Sequence, residues 1–193
     1  MGVNVRVRIQ PLKRFSAAVR RGLRTPEGPC RDAFTQWQAL YVGYLRQRFV
    51  RLSRGGGGGE WPGLKQSTIN QRRHGHRGGY KRGTRARARA AASGGGQVAI
   101  LRDTGILFAT LEPMLGAVPG KVARHIPYGI QAGIGGPARH PGGRATIADI
   151  AFFHQTGAGN LPERKIIVDP PRAVIARMER VLDAAIKRLS QGG

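Results

Sequence analysis

The chain has 193 residues, enough for one α+β or α/β domain with a real hydrophobic core, and its 33 Lys+Arg against 10 Asp+Glu leave a formal net charge of +23. A charge of that size speaks about partners, such as nucleic acid, an anionic surface or acidic neighbouring subunits, and not about fold. One cysteine, Cys30, excludes an internal disulfide and a Cys-rich metal site; the first residues lack a signal-peptide core, and no run approaches the roughly 18 apolar residues of a membrane span.

In chain order, Val3, Val5, Val7 and Ile9 alternate with Asn4, Arg6 and Arg8, which predicts a half-buried strand over 3–9, closed by Pro11. Leu12, Phe15, Val19 and Leu23 then share one helical face, and residues 25–29 form a turn. The longest helix of the first half is expected over 31–53. Phe34, Trp37, Tyr41, Tyr44 and Leu45, then Phe49 or Leu52, recur there at three and four, an aromatic stripe that reads as core. Asp32 near its start and Arg46, Arg48, Arg51 and Arg54 near its end suit the helix dipole, and the glycines of 55–59 stop it. A short helix is expected around 66–73. Residues 74–96 are Gly/Arg-rich and poor in apolar side chains, which predicts a flexible basic arm or loop.

Order resumes at Gln97. Asp103 or Thr104 is placed to cap a short helix carrying Ile106, Leu107, Ala109 and Leu111, and Glu112-Pro113 ends it. Residues 114–122 and 123–134 read as two strands around a turn at Pro119-Gly120, followed by a loop over 135–143. A helix over 146–155 sets Ile147, Ile150, Ala151 and His154 on one side, with Gly157 as its stop. Ile166–Val168 reads as a strand end. Pro171 opens a last helix whose Val174, Met178, Val181, Leu182, Ala185, Ile186 and Leu189 form a clean apolar stripe. The expected fold class is therefore α+β, a small β-sheet packed against a long helix of the first half and a C-terminal helix. The whole chain, 1–193, reads as a single domain with 74–96 as its arm.

Catalytic and cofactor chemistry finds little material. His74 and His76 lack a third metal ligand at a sensible spacing, amid Arg charge that opposes a cation. His154 could act as a base with Asp149 one turn away, but a structural helix-end histidine explains it better. The glycine runs are followed by no Lys-Ser/Thr, so they are not phosphate loops. The expectation is no enzyme, no cofactor and no metal. The basic segments are better founded: seven Lys/Arg and no acid over 6–24, and ten and no acid over 65–102. Arg72, Arg73, Arg77, Lys81, Arg82, Arg85, Arg87 and Arg89 are the candidate contacts, either to DNA phosphates or to an acidic neighbour. Tyr80 alone among aromatics in 74–96 argues against base stacking.

Several phrases of the second half occur in a set order. Trp61-x-x-Leu64 precedes Thr68; Leu101-x-x-Thr104-Gly105-x-Leu107 comes next; His154-Gln155-x-Gly157 and Pro162-x-Arg164 follow, before the closing helix. This order resembles the phage virion morphogenesis family, the tail-completion or neck proteins of tailed bacteriophages, over about 60–193. Lys165-Ile166-Ile167-Val168 stands where that family has Pro-Phe-Leu-Gly. The resemblance implies a small α+β subunit that joins as a homo-oligomeric ring of six at the head–tail junction of the virion. That ring would touch adjoining connector and tail-tube rings and pass genomic double-stranded DNA through its lumen without reading its sequence. Such a protein is made in the host cytoplasm and involves no membrane. The alternative is a free basic nucleic-acid-binding accessory protein.

Overall fold

The computed structural model describes residues 3–6, 17–24, 28–54, 60–65, 67–69, 105–113, 117–140, 144–158 and 161–191. The architecture is α+β. Strand β1 (Val3–Arg6) is followed by helices α1 (Ala17–Arg24) and α2 (Gly28–Arg54). The short helix α3 (Ile106–Ala109) leads to the hairpin β2 (Lys121–Ile126) and β3 (Gly129–Ile134), then to α4 (Ile147–Thr156) and α5 (Arg172–Gln191). The sheet is antiparallel with β3 in the centre, order β1-β3-β2. Val3 and Lys121 both register with Ile134, and Arg6 and Arg124 with Gln131. The expected arm at 74–96 and the rest of the expected strand to residue 9 lie outside the described residues.

Two buried clusters lie along α2, because its aromatic stripe runs its whole length. Towards its start, Cys30, Phe34 and Trp37 pack with Val19 and Leu23 of α1, Ile130 of β3, and Met178, Leu182 and Ala185 of α5. Towards its end, Tyr41, Leu45 and Phe49 pack with Trp61, Leu107, Leu111, Ile134, Ile147, Ile166 and Ile167. Each fully buried side chain of this size contributes about 1.5–3 kcal/mol. Helix α5 runs antiparallel to α2: the Trp37 indole donates to the Met178 carbonyl, while Leu189 abuts Gly22 beside Cys30. Polar tips within the stripe find partners, as Tyr41 Oη donates to the Val168 carbonyl at 2.9 Å. Burial, and then the charges of Asp169 and Tyr44, push the Tyr41 phenol well above its ordinary range, so it stays a donor.

Several sequence expectations change, and Gly28 and Pro29, read as part of a turn, instead open helix α2. The hairpin reverses at Pro127-Tyr128, not at Pro119-Gly120, which instead forms a turn leading into β2. Proline presets the first central position, and Tyr128 takes φ 60, a left-handed conformation that tyrosine seldom signals in a sequence. Its N–H donates to the Leu23 carbonyl at 2.7 Å, and its ring packs on the first cluster. Helix α3 is capped by Gly105, φ 73, with no side-chain hydrogen bond, rather than by Asp103 or Thr104. It ends at Ala109, and Leu111 lies in the following turn. Ile166 and Ile167 form a bend and not a strand end. Of the short helix expected around 66–73, residues 67–69 are helical, and the remainder lies outside the described residues.

Candidate functional site

Helix α4 begins with a capping box. Thr146 Oγ1 accepts from the Asp149 N–H, and Asp149 Oδ2 accepts from the Thr146 N–H, each at 3.0 Å. Hydrogen bonding from the Thr146 side chain, and then from its backbone N–H, holds the Asp149 carboxyl below its ordinary range. Asp149 thus serves as a helix cap, and not as the partner of His154 that a catalytic reading would need. At its other end the helix stops on Gly157, φ 68, in the left-handed region. A side chain there would also meet Glu163 at 3.2 Å. The stop turns the chain so that residues 161–168 fold back along the helix, and the Arg164 N–H donates to the His154 carbonyl at 2.6 Å.

Gln155 then organises the returning segment. Its Oε1 accepts from the N–H groups of both Ile166 and Ile167 at 2.9 Å, and its Nε2 donates to the Ile167 carbonyl at 2.7 Å. The side-chain amide thus supplies hydrogen bonds that a neighbouring strand would otherwise give, which is why the apolar run Ile166–Val168 buries as a bend. Beside it, Arg164 is 4 % exposed. It donates to the carbonyls of Pro62 at 3.0 and 3.2 Å and Gly63 at 3.3 Å. Trp61 Nε1 donates to the Lys165 carbonyl at 3.1 Å, and Arg48 Nη1 donates to the same oxygen. Arg48 also pairs with Glu60, and its guanidinium lies 6.0 Å from the Trp61 ring centre. The Trp61 ring stands edge-on to Phe49, centroids 5.1 Å apart.

Trp61, His154, Gln155, Gly157 and Arg164 are thereby brought into one clasp that joins α2, the 60–64 segment, the end of α4 and the 161–168 segment, in which Pro162 lies half-buried. Leu64 and Leu107 pack on or within the adjoining cluster, and Gly105 caps α3. Leu101, Thr104 and the eight basic contact candidates (Arg72, Arg73, Arg77, Lys81, Arg82, Arg85, Arg87 and Arg89) lie outside the described residues. Arg48 is the member that the sequence reading missed. It was assigned to the helix dipole, yet it falls seven residues after Tyr41 and three after Leu45, on the buried face, and that spacing is the signal that finds it.

The clasp's chemistry is that of a fastening. Its arginines are engaged with carbonyls and a carboxylate, and it contains no hydroxyl or thiol nucleophile beside a base. Elsewhere, burial pushes the Cys30 thiol up and, with the Arg31 charge second, pushes the His125 imidazole down. Both groups are thus favoured neutral. Among the described residues, no group of three or more His, Cys, Asp or Glu is placed to hold a metal ion, and no helix is long and apolar enough to cross a membrane. No protein-family model, curated protein or solved structure matches the chain.

Proposed function

We propose that the protein is a structural virion component at the head–tail junction of a tailed phage, a neck, tail-completion or tail-terminator subunit that forms a ring through which DNA passes. The observation that carries this reading is the clasp. The phrases that resemble the virion morphogenesis family are separated by about a hundred residues, and the ones within the described residues interlock as scaffold. A scaffold role is what a ring subunit asks of them. The charge of +23 suits a lumen that neutralises phosphate without reading bases. Head-to-tail contacts that close by rotation give such a ring, here of six copies. Adjoining connector and tail-tube rings are its protein neighbours.

The charge alone also favours a second reading, a free basic nucleic-acid-binding accessory protein. Native mass spectrometry with duplex binding at two salt concentrations separates the two. The ring reading expects a closed oligomer of six and weak, salt-sensitive duplex binding by the monomer. Tight duplex binding by a monomer or dimer at physiological salt, with no larger species at any concentration, would overturn it. Deleting residues 75–96 should leave the core folded and impair particle assembly or DNA retention; fully infectious particles would remove the basic segment from the proposal.

A further inference from the structure

Between α2 and α5 runs a groove of about 490 Å³. Its floor is formed by Ala33, Leu40, Val181 and Ala185, the upper surface of the first buried cluster. Ala39 and Ala184 on its walls are exposed and small, so a third helix can approach closely. Arg177, Arg180 and Arg188 stand along the α5 side, all exposed, and Asp32 is the one acid in the lining. From Arg177 to Arg188 is about three helical turns, roughly 16 Å.

We propose that this groove docks an amphipathic helix of another protein, with its apolar face on the alanine, leucine and valine floor and acidic residues beside the three arginines. Charge complementarity selects this occupant. In a second copy of the chain α1, α2 and α5 each carry more Arg and Lys than Asp and Glu and so meet the rim with like charge, and α4 brings one acid, Asp149, which its own capping box holds. The chain's own 65–102 stretch, with ten basic residues and no acid, has the wrong sign too. Nucleic acid matches the sign but not the floor, which is aliphatic and offers neither donors for base edges nor rings for stacking. The inference rests on the groove itself and holds under either functional reading.

The probes are a helix-stapled peptide of about 14 residues with leucines on one face and flanking glutamates, a copy with lysine at each glutamate, and a short DNA duplex. Amide NMR on the full chain reads where each binds. The acidic peptide should shift Ala33, Leu40, Val181 and Ala184 and bind at least about tenfold more tightly than the lysine copy. The double substitution Arg180→Glu, Arg188→Glu should reverse that preference. Ala184→Trp, which fills the groove, should abolish peptide binding with the Tm unchanged. Should that variant melt early, the double charge reversal, at exposed positions only, decides alone. Equal binding of the two peptides, shifts confined to other surfaces, or a duplex that displaces the acidic peptide from these residues would each overturn the proposal.

Discussion

Arg164 and Gln38 are both buried polar side chains, and they differ in how their polar atoms are met. Arg164 is desolvated but aimed at two carbonyls, so its charge meets oriented dipoles instead of water. Arg164→Met keeps the stem and much of the volume while removing every donor, and should lower stability by about 2–3 kcal/mol in urea unfolding. An unchanged midpoint would show that the clasp does not depend on it. Gln38 is the reverse: it is 1 % exposed, and neither its Oε1 nor its Nε2 has a hydrogen-bond partner among the described residues. Its burial carries an uncompensated desolvation cost, so Gln38→Leu, close to it in volume, should raise the unfolding midpoint by about 1 kcal/mol equivalent. A loss of stability on that substitution would show that a bound water satisfies the amide in solution.

At the scale of elements, the start of α4 is pH-sensitive in a defined direction. The Asp149 carboxyl is depressed in the folded chain by its bonds to Thr146. Its contribution to stability is therefore present above the unfolded value of 3.8 and is lost as pH falls through the lower folded value. Asp149→Asn should be destabilising at neutral pH, and the gap to the unsubstituted chain should close in acid-titrated thermal melts; a gap constant down to the acid limit would rule out the capping box as its source. Helix α4 was legible in the sequence from its apolar side and the stop at Gly157, whereas its Thr146–Asp149 capping box was not read there. The long helix was legible from its aromatic period. The hairpin reversal was not, since a tyrosine at φ 60 is imposed by its bond to Leu23, more than a hundred residues away in the chain. The bend at 166–168 was misread for the same reason: Gln155 stands in for a strand that local patterning assumes. Trp61, Gln155 and Arg164 were legible as a set by their order. Their mutual contacts were not, because nothing in a spacing says which carbonyl an arginine will meet.

For the whole molecule, α2 is the member shared by both buried clusters, with Phe34 in one and Phe49 in the other. Strand β3 repeats that sharing through Ile130 and Ile134. A cluster cannot then open without stripping one face of an element that the other needs, so the two should melt together. Phe34→Leu and Phe49→Leu should each lower a single common transition by about 1–2 kcal/mol, with tryptophan fluorescence and circular dichroism coincident. Two separated transitions, each moved by only one substitution, would instead show independent units. The same sharing places the α2–α5 groove on a rigid base, since its floor is the roof of a filled cluster.

The clasp also sets an order in time. Arg48 and Trp61 leave the ribosome well before the Lys165 carbonyl that both of them grip. At ordinary rates of synthesis that interval is about 5–20 s. Throughout it the aromatic face of α2 lacks Ile166, Ile167 and α5, the later segments that cover it in the folded chain. A chain terminated before residue 161 should therefore leave Trp37 and Trp61 without the Met178 and Lys165 carbonyls they bond, and tryptophan fluorescence should tell it from the full chain.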